Sequence, residues 1–240
     1  MIDTQLIIVE GVMGSGKSTT SQRIAERLRQ EDIPVRHVPE SFREHPTNVT
    51  RTLTHWHKIW IEETPASFIA KSQLLWQHFV KQACTTSQIF VFDGQFFHGD
   101  MTGLLIANTE TSQIVDYVDS LVEIIQPLRP GLIYLYQTNL AENLSRTAQI
   151  RGRSWLRRQV GWKVDSPYCA QRGYQGPAGW LKLYTDYRQL TDDLFQRLPI
   201  SRLAIENSAG DWQNYEAQIF EFLELRTLPS AKQNDAEDSV

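Results

Sequence analysis

The chain has 240 residues, a net charge of −4 and a pI of about 5.9, which disfavours a general nucleic-acid-binding role. Its 41% apolar and 10% aromatic content excludes an intrinsically disordered chain and is enough for a buried core. Two cysteines, Cys84 and Cys169, exclude a disulfide framework, and no apolar run approaches the about 18 residues of a membrane helix.

Leu6–Glu10 (LIIVE) reads as a first buried strand that leaves no room for a signal peptide, so a soluble cytoplasmic protein is expected. Residues 11–18, GVMGSGKS, fit the phosphate-loop pattern G-x-x-x-x-G-K-[ST] without a mismatch. In the helix that follows, Thr20, Ile24 and Leu28 recur at helical spacing. Strand, glycine loop and helix form the context in which the pattern is specific. Gly11, Gly14 and Gly16 permit backbone angles and close approaches that a side chain blocks. The amides of the loop, with Ser15 and Thr19 among its residues, can then point at an anion at the positive end of the helix. Lys17 would reach the β- and γ-phosphates of a nucleotide, and the Ser18 hydroxyl would ligate Mg²⁺.

Val35–Pro39 is the second predicted strand, and Glu40 closes it, as general base or acceptor ligand or else as an exposed loop glutamate. Thr64 and Pro65 mark the start of a long helix on which Phe68, Leu75, Trp76, Phe79, Val80 and Ala83 share one side. Ile89–Asp93 is the third strand. Asp93 at its end would hold Mg²⁺ through water or accept a proton, or simply cap the turn at Gly94. Trp56, Trp60, Trp76, Phe96 and Phe97 could sandwich a flat acceptor, with Gln73 and Gln77 donating to it, or else be core.

Ile114, Val118, Leu121, Val122 and Ile125 predict a helix that Pro127 and Pro130 end. Leu132–Tyr136 is the fourth strand. From Asn143 to Val164 there is no acid, yet Arg146, Arg151, Arg153, Arg157, Arg158 and Lys163 are present. Arg151-Gly152-Arg153 reads as a turn presenting two guanidinium groups to a transferring phosphoryl group; a solvated basic face is the alternative. Leu203–Ile205 with its neighbours is the fifth strand. The stretch Glu206–Trp212 would contact a nucleotide base or cap the last helix. The scattered histidines, His55 and His57 included, do not make a zinc site.

Alternating strands and helices predict an α/β fold with a parallel sheet covered on both faces, its ligands beyond the carboxyl ends of the strands. One domain over residues 1–228, with a lid at about 146–179, and a mobile polar tail over 229–240 are expected.

With the loop, Glu40, Asp93 and the arginine run in place, the chain resembles the P-loop kinases of nucleosides and nucleotides, in particular the thymidylate kinase and deoxynucleoside kinase group. The resemblance runs from the first strand to the last helix. It implies a three-layer αβα fold with a five-stranded parallel sheet in the order 2-3-1-4-5. It also implies ATP and Mg²⁺ as cosubstrates, with Ser18 and Asp93 toward the metal, and a small-molecule acceptor. In that group a glutamate closes strand two, an acid closes strand three and an arginine-rich lid follows strand four, matched by Glu40, Asp93, and Arg151 with Arg153. Three features depart from it: Gly94 stands where an arginine usually follows the strand-three acid, Ser41 stands for a proline, and the segment WKVDSPYCAQRGYQGPAG is long. A nucleotide-dependent switch or NTPase, with water as nucleophile, is the second reading. A kinase-like enzyme acting on an antibiotic or a nucleic-acid end is the third. A homodimer stays open.

Overall fold

The computed structural model describes residues 3–40 and 45–225. Ser41 and the expected tail over 229–240 lie outside the described residues. Five strands form one parallel sheet: β1 (Leu6–Gly11), β2 (Val35–Val38), β3 (Ile89–Asp93), β4 (Gly131–Tyr136) and β5 (Ser201–Glu206). Their spatial order is β2-β3-β1-β4-β5, as the resemblance implied. In register, Val9 pairs with Asp93 and Glu10 with Tyr134, so the ends of β1, β3 and β4 lie side by side.

Nine α-helices are present among the described residues. On one face α1 (Lys17–Gln30) and α9 (Trp212–Phe222) pack on the sheet through Ile24, Ala25, Leu28, Tyr215 and Ile219. On the other face lie α2 (Pro65–Ala83), α3 (Asp100–Ile106), α4 (Thr111–Ile125) and α8 (Gly176–Arg197). Helices α5 (Leu140–Arg151), α6 (Arg153–Val164) and α7 (Pro167–Arg172) follow β4. This is a three-layer αβα arrangement. No described helix is long and apolar enough to cross a membrane.

Local chemistry explains the boundaries. Thr64 Oγ1 accepts from the Ser67 amide at 3.2 Å and Pro65 takes the first helical position, which starts α2 where the sequence places it. Gln126–Leu128, containing Pro127, forms a 3₁₀ turn that ends α4. The periodic residues Ile114, Val118, Leu121, Val122 and Ile125 are all buried.

Trp76, Phe96 and Phe97 are fully buried in this core, the alternative the sequence offered to a base sandwich. Phe96 meets Trp76 and Phe97, and Trp76 meets Phe79 and Phe92, at ring separations of 5.1–6.5 Å, while Phe79 meets Phe90 at 5.1 Å. Trp60 packs against the same core, and Gln73 donates to Ser120 on α4.

Phe92, with no exposed surface, touches His45, Trp76 and Phe79 beneath the cavity edge of the sheet. Phe92→Ala removes that contact set and is expected to cost about 3–5 kcal/mol. Urea denaturation checks this, and a loss under about 1 kcal/mol would mean the cluster repacks around the void.

Candidate active site

The phosphate loop spans the end of β1 and the start of α1. Gly11, Gly14 and Gly16 have φ of +148°, +80° and +95°. A Cβ on Gly14 would lie 1.9 Å from Thr147 Oγ1, and one on Gly16 would lie 2.5 Å from the Trp212 ring. The loop is therefore closed in by α5 on one side and by the start of α9 on the other. Asn207 Nδ2 donates to the Ser15 carbonyl at 2.7 Å, and Asn143 Nδ2 donates to the Met13 carbonyl at 3.2 Å. The Glu206–Trp212 stretch thus braces the loop. Asp211 also caps α9 by accepting from Asn214 N at 3.3 Å.

A cavity of about 740 Å³ opens at this edge of the sheet. That is the size of a small-molecule site. Gly14, Gly16, Lys17, Ser18, Thr19, Glu40 and Asp93 all line it. Lys17, Glu40 and Asp93 meet around Gly94. A Cβ built there would stand 3.6 Å from His98 Cβ, 3.7 Å from Lys17 Cε and 3.9 Å from Glu40 Oε2. The backbone at this point is unusual, with φ of +73° at Gly94 and +81° at Gln95. A non-glycine residue in that region costs about 1–3 kcal/mol and is characteristic of functional sites.

Asp93 is buried and accepts a hydrogen bond from Ser18. Burial raises its pKa, and the Ser18 bond and Lys17 oppose the rise. Its Oδ1 has no partner among the described residues, and neither do His98 Nδ1 and Tyr184 Oη. Buried polar atoms of this kind call for a ligand, an ion or a water. A hydroxyl beside a half-satisfied carboxylate, both oxygen donors, suits a hard cation such as Mg²⁺.

The arginine run follows two helices rather than a loop. Gly152, with φ of +85°, breaks α5 from α6. Arg146, Ile150 and Arg151 of α5 line the cavity, as do Trp155, Gln159, Trp162 and Lys163 of α6. Arg151 also lies over the Trp155 ring at 5.1 Å. Arg153 is not among the lining residues, so the two arginines of the turn do not converge. Lys163 is half-buried, and desolvation pulls its ammonium down to about 8 against the attraction of Glu40. Of the aromatic residues singled out in the sequence, Trp56 alone lines the cavity, in edge contact with Trp162 at 5.1 Å.

Two buried acids escape the sequence reading. Glu10, at the end of β1, accepts from the amides of Phe96 at 2.8 Å, Phe97 at 2.7 Å and His98 at 3.3 Å. Burial pushes its carboxyl up to about 7, against Lys17 and these amides. Its signal was a charge inside an otherwise apolar strand, since such a charge must be paired. Asp100, at the start of α3, accepts from Ser72 Oγ, from Tyr117 Oη at 3.3 Å and from Gln95 Nε2 at 3.2 Å. Burial raises it to about 7 as well.

Neither known family profiles nor curated protein sequences match the chain. Among solved structures, a thymidylate kinase from Candida albicans is similar, with a TM-score of 0.54 and 14% identity. The match covers 92% of this chain and 91% of that one. The fold is that of the P-loop nucleotide kinases. A deoxyadenosine kinase from M. mycoides matches at TM-score 0.49 and 16% identity, over 91% of this chain and 98% of that one. The YorR protein of Bacillus subtilis, solved in complex with phosphorylated GDP, matches at 0.47 and 12%, over 91% and 95%. In this kinase fold the cavity lies where ligands of parallel sheets bind, beyond the carboxyl ends of the strands.

The raised acids set a pH dependence. In the unfolded chain Asp100 ionises near 3.8, whereas in the fold it keeps its proton to about 7. The unfolded state therefore releases the proton first, and stability falls as pH rises from about 4 to about 7. Glu10 acts in the same direction from 4.5 upward. Asp100→Asn removes one share of that fall. Melting temperatures between pH 4 and 8 should decline less steeply in the variant than in the wild type, and identical slopes would show that Asp100 is ionised in the fold.

Proposed function

We propose that the chain is an ATP- and Mg²⁺-dependent kinase. It transfers the γ-phosphoryl group to a nucleoside, a nucleotide or a similar small acceptor. The observation that carries this reading is the convergence of Lys17, Glu40 and Asp93 around Gly94 in one cavity, with Arg146 and Arg151 on its α5 side.

Phosphoryl transfer asks little covalent chemistry of the protein and much positioning and charge stabilisation. The loop amides and Lys17 bind the phosphates of ATP at the positive end of α1. Mg²⁺, held by Ser18 and Asp93, would neutralise charge on the phosphate oxygens. Arg146 and Arg151 face the same cavity and suit charge that spreads over the transferring oxygens. Glu40 takes the proton of an acceptor hydroxyl. The lining that continues through Asn48, Thr50, Trp56, His57, Ile59 and Trp162 gives the acceptor a chamber of polar and aromatic walls. A switch that hydrolyses its nucleotide needs no such chamber.

Lys17→Ala is expected to lower acceptor-dependent transfer by at least about 100-fold, as loss of one preorganised charge donor does. Its circular dichroism should stay unchanged. ATP consumption is measured with and without a panel of nucleosides and nucleoside monophosphates. A fully active Lys17→Ala enzyme refutes the loop assignment, and acceptor-independent hydrolysis at the full rate refutes the kinase reading in favour of the switch.

A further inference from the structure

Among the described residues, His98 lines the cavity, has no role in this scheme and touches a residue that the scheme uses. Its Nε2 lies 3.5 Å from Glu40 Oε1. Among the described residues no other cationic or histidine nitrogen comes within ion-pair distance of the Glu40 carboxylate. Glu40 itself is 43% exposed at its side chain, at the end of β2. A long acidic side chain held by nothing samples many rotamers, and fixing it costs about 1.5–2 kcal/mol of entropy.

The platform under His98 is rigid. Its amide donates to Glu10 Oε1 at 3.3 Å, and its carbonyl accepts from Thr102 Oγ1 at 3.2 Å. The ring sits edge-on to Tyr187 of α8 at 6.2 Å. Three elements, β1, α3 and α8, therefore fix one imidazole. Burial and the neighbouring cations Lys17, Lys163 and Arg151 keep the ring neutral. The carboxylate facing Nε2 assigns the remaining proton to that nitrogen.

We propose that His98 is a positioning residue: its Nε2–H holds the Glu40 carboxylate in place to receive the proton of an acceptor hydroxyl. This rests on the kinase reading and narrows it to hydroxyl acceptors. As the acceptor oxygen bonds to the γ-phosphorus, its proton passes to Glu40 and ADP departs. His98 keeps its own proton throughout. A phosphate acceptor, already ionised, would have no use for the pair.

The test compares wild type, His98→Leu, His98→Gln, Glu40→Gln and the double variant His98→Leu/Glu40→Gln. Acceptors are a panel of nucleosides and their monophosphates, with ATP and Mg²⁺. His98→Leu should lower kcat roughly 10- to 100-fold, with KM for ATP within about twofold of wild type. His98→Gln, whose amide nitrogen can stand near the place of Nε2, should recover most of that loss. The double variant should be no slower than Glu40→Gln alone, because the histidine acts only through the glutamate. Melting temperatures identify any variant that fails to fold, and the glutamine variant then decides the question. If wild type transfers to no acceptor, the kinase reading falls and takes this inference with it. Suppose instead that wild type is active. Unchanged kcat in His98→Leu, multiplicative losses in the double variant, or transfer confined to monophosphates would overturn the role of His98 and leave the kinase reading standing.

Discussion

Burial of ionisable groups at the carboxyl edge of an apolar sheet is the constraint on which this structure turns. Lys17, Glu10, Asp93 and Asp100 are all buried there. Desolvating an ion costs several kcal/mol unless partners replace the lost water. The acids meet that demand differently, and the difference sorts them. Glu10 is satisfied within the chain by three consecutive amides, and Asp100 by Ser72, Tyr117 and Gln95. Asp93 keeps one oxygen without a partner. A carboxylate whose partners are all internal is structural, even where it borders the cavity. One left half-satisfied beside a loop hydroxyl has an oxygen free for a ligand, as the proposed function requires.

The same constraint explains the departure on the acceptor side. At φ of +73°, residue 94 favours glycine, and a Cβ there would meet Lys17 and Glu40 at ordinary contact distance, 3.7 and 3.9 Å. An arginine at that position would start from a strained backbone and in contact with Lys17. The chain therefore carries no cation there, and the cavity draws its positive charge from α5 and α6 through Arg146, Arg151 and Lys163.

The parts of the fold legible in the sequence are those whose signals are local. Each of the five predicted strands is present to within two residues, because short apolar runs bounded by turn residues have few alternatives inside a covered sheet. Thr64-Pro65 and Pro127 act on the chain around them, and so the bounds of α2 and α4 are readable. The glycine loop carries its geometry in its own backbone. What escaped depends on partners distant in sequence. The Glu10 clasp joins positions more than 80 residues apart. The Phe96–Phe97 pair looks like a ring sandwich until the sheet closes over it. Arg151 and Arg153 looked equivalent, and Gly152 between them sends only one into the cavity.

Helix α6 shows how that misreading arises. It has no fully buried residue, although it carries Trp155, Leu156, Val160, Trp162 and Val164. Trp155, Leu156, Val160 and Val164 pack against the main core while staying only partly buried. Trp155, Gln159, Trp162 and Lys163 fall at i, i+4, i+7 and i+8, one continuous stripe, and the cavity is what that stripe faces. Read as composition, the segment is a basic run. Read as period, it is an amphipathic helix whose polar and aromatic stripe is a wall.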